Sequence, residues 1–180
     1  MPAILPAFVS AARHLVLALA GLGLVATTMS ALPARAATGD RSADEITTSS
    51  RPAAAARVNN RVLSAKATAM RQRGDAYAYG AAGPGAFDCS GLIYFAYRQA
   101  GFPVPRTSGA QAGFTRRIAK SNMRAGDLMF FYGSGGVYHA AVFLGWSHGH
   151  ATMVHSPGSG QRVRVAVPWT SRWFGGTLRR

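Results

Sequence analysis

Cysteine is nearly absent. Cys89 is the only one in 180 residues, so the chain forms no internal disulfide. Acids are scarce as well, 6 against 20 lysines and arginines, for a formal net charge of +14. After Glu45 only Asp75, Asp88 and Asp127 remain. A surface this basic favours polyanions. The cations are nevertheless scattered (Arg71, Arg73, Arg98, Arg116, Arg117, Lys120, Arg162, Arg164), and no aromatic platform is interleaved with them. That pattern argues against nucleic acid as the partner. No apolar run reaches the ~20 residues that span a bilayer, and no internal repeat is evident.

What the N-terminus does hold is Arg13 and His14, a short apolar run from Leu15 to Ala26, and the small-residue site Ala34-Arg35-Ala36. Charged start, apolar middle and A-x-A site together read as a secretory signal over residues 1–36, with an uncleaved anchor as the alternative. The protein is therefore expected in the cell envelope or outside the cell. An exported basic surface meets anionic envelope polymers first, and these are its expected polyanionic contacts. Residues 37–57 are small and polar with almost nothing large to bury, so they are expected to form a disordered linker. Residues 58–180 gain aromatics, glycines and periodic apolar positions, enough for one domain with its own core, expected to be a monomer.

Val58, Val62, Leu63, Ala67 and Met70 follow near-helical spacing, which predicts a helix ending at Gly74. A Gly/Ala-rich loop leads to Cys89. Leu92, Ile93, Phe95, Ala96 and Ala100 then predict a second helix that starts at or just after Cys89 and stops at Gly101. A short helix is expected near Ala110. Beyond it, "DLMFFY", "VYHAAVFLG", "ATMVHS" and "RVRVAVPW" read as four short strands separated by Gly/Ser clusters. Helices first and an antiparallel meander after them make an α+β domain.

A lone thiol outside the cell is exposed to oxidation unless it is buried or used. Free cysteine is usually an inert buried residue. Cys89 has one local feature that favours reactivity: the unpaired N–H groups and partial positive charge of a helix start. A nucleophile also needs a base. His14 lies in the signal, and His148 and His150 flank Gly149 in a loop. His139 and His155 lie in strand-like runs, and a hairpin centred on Ser147 sets them directly opposite each other. One imidazole then acts as base while the other orients it. The four C-terminal histidines with Cys89 also compose a candidate zinc donor set. Against zinc, "HGH" lacks i, i+4 spacing and no second cysteine exists. No metal and no cofactor are expected.

The blocks "YAYGAAGPGAFDCSGLIYFAY", "VPRTSGAQ", "MRAGDLMFF", "HAAVFLG" and "MVHSP" resemble, in order and spacing, the NlpC-type papain-like cell-wall peptidases. The resemblance implies a papain-like fold with N-terminal helices packed on the meander. It implies Cys89 as nucleophile, His139 as general base and His155 as orienter. It places Tyr77 beside the site, in contact with substrate and oxyanion, and Asp88 and Ser90 at the free amine of a stem peptide. It leaves Asp88 free to serve only as a helix cap, and Arg106 and Gln111 as structural residues. The implied reaction is hydrolysis of a stem-peptide amide in peptidoglycan, the bond between the γ-carboxyl of D-glutamate and the diamino acid. An amidase or acyltransferase on the same scaffold, or a non-catalytic wall-binding domain, are the alternatives. Two departures stand out: Ala81 where a glycine is usual, and a longer loop carrying Trp146, His148 and His150. No recognisable wall-binding module precedes the domain.

Overall fold

In the computed structural model the described residues are 43–179; the signal segment and the first part of the expected linker lie outside them. Helix α1 (Ala43–Arg71) carries Val62, Ala65 and Ala69 on its buried face. Leu63, expected on that face, points outward at 37% exposure. The helix starts well before residue 58, inside the expected linker. Arg51–Arg57 are exposed, so this portion buries nothing, as its composition requires. It is nonetheless helical, because the run Ala53–Ala56 has high intrinsic propensity and extends a helix already anchored downstream.

After a short parallel pair, β1 (Ala76–Tyr77) with β2 (Ala86–Phe87), comes helix α2 (Cys89–Gln99). Leu92, Ile93, Ala96 and Tyr97 form its buried stripe. Helix α3 (Ser108–Phe114) follows, capped by Thr107. The remaining strands are β3 (Arg116–Ile118), β4 (Leu128–Gly133), β5 (Gly136–Ser147), β6 (His150–His155), β7 (Arg164–Ala166) and β8 (Trp173–Thr177). They form one antiparallel sheet in the order β3-β8-β4-β5-β6-β7. The expected α+β meander is present. β3 and β8 are additions to it: β3 is an edge strand with two arginines, and β8 contains Gly175 and Gly176, which strands ordinarily avoid.

Both faces of the sheet are covered, which explains why β4 reads as a continuous apolar run. Leu128, Phe130, Ala140, Val142 and Val154 pack with the buried stripes of α1 and α2. Met129, Phe131, Ala141, Phe143, Met153 and Trp173 form a second, smaller cluster. The C-terminus is tied down by a buried ion pair, Arg179 to Asp127 at 2.6 Å, with Arg179 also donating to Asn59 of α1. The other Asp127 oxygen accepts the Arg124 N–H at 2.7 Å, so this residue also holds a turn.

The β5–β6 hairpin departs from the expected register. Its turn is the two residues His148 and Gly149, both at positive φ, and Ser147 pairs with His150. This is the tight turn that twisted hairpins prefer. A bulge between Phe143 and Gly145 leaves Leu144 unpaired, and beyond it Val142 pairs with Val154. Continuing that register sets His155 opposite Ala141. His139 is thus diagonal to His155 on the same face, not directly across from it.

Candidate active site

Asp88 ends an extended segment and caps α2, its carboxylate accepting the Gly91 N–H at 2.6 Å. The cap puts Cys89 in the first turn, among N–H groups that have no partner within the helix. The amides of Cys89 and Ser90, and that of Ala140 from β5, donate to the sulfur and favour thiolate. Burial opposes them and is the larger effect, so the thiol lies above its ordinary range.

His139 follows Tyr138 at the edge of the core and is 6% exposed; His155 ends β6 and is 2% exposed. Their rings meet edge to face, with His139 Nε2 3.0 Å from His155 Nδ1. For His139 Nδ1 to accept a proton, Nε2 must carry the hydrogen and donate it to His155. The remaining hydrogen of His155 then sits on Nε2, which is buried with no partner. Burial lowers His139 to about 3, with His155 adding to the effect. Burial, then Arg164, lowers His155 to about 4. The resting pair is neutral, and so is the thiol.

The structure places the six expected residues in two sets, the histidine pair and the residues of the groove. His139 and His155 touch directly. Cys89 reaches β5 through the Ala140 amide, next to His139, and among the described residues no Cys89–His139 hydrogen bond is made. Tyr77, Asp88, Cys89, Ser90, Arg106 and Tyr138 line a groove of about 470 Å³. Burial raises the Tyr77 hydroxyl, and its electrostatic interactions with Cys89 and Asp88 add to the effect.

Arg106, assigned no site role from the sequence, is central here. Its guanidinium bridges both Asp88 oxygens at 3.0 and 2.7 Å, and also reaches Ser90 Oγ at 3.0 Å and the Ala81 carbonyl at 3.1 Å. Asp88 additionally accepts from Gly80 N–H and Ser90 Oγ. Burial raises the Asp88 carboxyl, but the Arg106 and backbone hydrogen bonds outweigh it and hold the group below its ordinary range. Asp88 is thus a permanent anion whose oxygens are already occupied, which fits a cap and anchor. Gln111 Nε2 donates to the Ser90 and Pro105 carbonyls, tying the Arg106 loop to α2. The signal for Arg106 was an arginine held by Pro105 in a chain whose nearby acid is Asp88. Trp169 was also missed, because "VPW" read as strand; β7 stops at Ala166 and Trp169 packs against both histidine rings, 5.1 and 5.7 Å between centroids.

Residues 74–178 match the NlpC/P60 family. Probable endopeptidase p60 of Listeria monocytogenes is 46% identical over 80 residues, 44% of this chain but 16% of that protein, so the likeness covers a small part of the relative's length. The peptidoglycan hydrolase RipB of Mycobacterium tuberculosis superposes with a TM-score of 0.60 at 27% identity, covering 69% of this chain and 68% of that one. RipD of the same organism, described as a non-catalytic NlpC/p60 domain protein adapted to peptidoglycan binding, gives a TM-score of 0.53 at 28% identity over 66% of this chain and 97% of its own. With the match running from just beyond α1 through β8 and enclosing every residue of the groove, the chain belongs to the NlpC/P60 family.

Proposed function

We propose that the protein is an exported cysteine endopeptidase that hydrolyses stem-peptide amides of peptidoglycan, at the bond between the γ-carboxyl of D-glutamate and the diamino acid. The observation that carries this reading is the 3.0 Å His139–His155 pair, with His139 on the strand whose next amide, Ala140, serves the Cys89 sulfur. Names of relatives that include endopeptidase and peptidoglycan hydrolase support the substrate class.

The neutral resting site sets the order of events. As substrate enters and water leaves, Cys89 Sγ attacks the scissile carbonyl carbon while its proton passes to His139 Nδ1. The imidazolium is held by its Nε2–H donating to His155 Nδ1. Amides at the start of α2 suit the oxyanion. Collapse breaks the C–N bond, the amine takes the proton from His139, and the acyl group stays on sulfur. Water, deprotonated by His139, then releases the new carboxylate and restores the thiol. The Asp88–Arg106 pair holds the groove wall where the peptide's amine end would lie, and Tyr77 lines the same groove. The basic surface suits anionic wall polymers, and the reading is of a monomer.

Incubating the purified protein with muropeptides and weighing the products tests this. New D-glutamyl carboxyl ends are expected. A sugar–peptide amide cleaved instead makes it an amidase, and no product at all favours a binding domain of the kind described for RipD. The presence of Cys89 with both histidines argues for the enzyme.

A further inference from the structure

Trp169 has a second environment besides the two histidines. It stacks on Phe131, 4.4 Å between centroids and 7° between planes, and also lines a separate groove of about 490 Å³. The same groove is lined by Trp146 and Trp173, a tilted pair 6.5 Å apart. Trp146 is 48% exposed and Trp169 54%. Large aromatic faces left this open in one concavity mark a recognition surface. An adjoining cavity of about 570 Å³ shares Lys120, Ser171 and Trp173 and runs on to Tyr132, so the aromatic path is longer than one ring.

The lining chemistry selects the occupant. Lys120 is its one lysine, and its amine already donates to the Ser171 carbonyl at 2.8 Å and sits 4.1 Å from the Trp173 ring centre. A polyphosphate would need cations that are not engaged in this way. Indole faces rimmed by His150, Thr170 and Ser171 instead match pyranose rings. The C–H face of a sugar stacks on indole, while its hydroxyl and acetamido groups find donors and acceptors at the rim. The volume lies within the ~300–1,000 Å³ of small-ligand sites.

We propose that this groove binds the glycan strand of peptidoglycan through its β-1,4-linked N-acetylated amino sugars. Trp169 joins it to the catalytic pair, so a stem peptide borne by the bound strand is presented close to Cys89. The glycan's relevance rests on the hydrolase reading, but sugar binding can be measured apart from it. A peptide-free tetramer of N-acetylglucosamine is titrated into the Cys89→Ala protein, followed by tryptophan fluorescence and calorimetry. Saturable binding is expected, weakened tenfold or more by Trp146→Ala and retained by Trp146→Phe, both variants melting normally. In the active enzyme, Trp146→Ala raises KM for intact peptidoglycan several-fold and leaves kcat/KM for a free stem peptide unchanged. Failure to bind the tetramer, or equal binding by Trp146→Ala, overturns the proposal. Tetramer binding by a protein that cleaves neither substrate sinks the hydrolase reading and leaves the sugar site standing.

Discussion

His139 Nε2 and His155 Nδ1 lie 3.0 Å apart in a buried pair in which the partner of His139 is an imidazole, not a carboxylate. A neutral partner stabilises imidazolium less than an anion does. This leaves His139 a weak base, and it makes the pair tunable. His155→Glu is expected to raise the His139 pKa and move the acid limb of kcat/KM to higher pH. His155→Ala removes the partner and lowers kcat by about 100-fold. Rate profiles across pH on a stem-peptide substrate decide it; an unmoved acid limb in His155→Glu rules out His139 as the titrating base.

Cys89→Ala is expected to reduce muropeptide turnover by about a thousandfold or more while leaving the melting temperature within a few degrees. The side chain is small and only partly buried, so little packing is lost. Turnover that survives this change removes the nucleophile assignment.

Stability should fall on mild acidification. His139, lowered to about 3, and His155, lowered to about 4, bind fewer protons folded than unfolded between those values and about 6.5. The unfolded chain therefore gains protons first, and stability rises with pH across this window before levelling above it. Thermal melts from pH 4.5 to 7.5 should show this slope, and His139→Ala should flatten it. Equal slopes in the two proteins place the dependence elsewhere.

Arg106→Ala is expected to cost about 1–2 kcal/mol, limited because the guanidinium is one-third exposed. It should also raise KM more than it changes kcat, since the groove wall loosens while Cys89 and His139 stay. Arg106→Lys recovers only part of the loss, because one amine cannot bridge both Asp88 oxygens and Ser90 together. Denaturant melts and steady-state kinetics on the three proteins separate these effects.

Gly91→Ala should be among the most damaging single methyl additions. A Cβ there would overlap the Ala81 carbonyl oxygen, and it would sit 2.9 Å from Asp88 Oδ1. The oxygen belongs to backbone that also accepts from Asp88 N–H and Arg106, so it cannot retreat freely. A loss of about 3 kcal/mol is expected by denaturant unfolding.

What was legible in the chain was what local rules govern. Asp88 as cap and Cys89 at a helix start follow from neighbouring residues alone. The histidine pairing was reached through a register wrong by two positions along one strand. It survived because an even slip keeps side chains on the same face. The two-residue turn and the bulge at Leu144, which set the actual register, depend on strand twist and left no clear signal. β8 was invisible because Gly175 and Gly176 suit close packing rather than strand propensity. Arg106 and Trp169 act through residues distant in sequence, 18 positions from Asp88 and beyond the end of β7.

The bulge at Leu144 divides the β5–β6 hairpin into two independent gear trains. Toward the tip, Trp146 meshes with Ala151 and Ser147 with His150; toward the base, Val142 meshes with Val154. Were the tip's register carried through without the bulge, His155 would be set against Val142 and turned to the face opposite His139. The unpaired residue absorbs that mismatch. Changes at the tip, where Trp146 stands, can then be made without rotating the His139–His155 pair at the base, and the two ends of one hairpin can evolve separately.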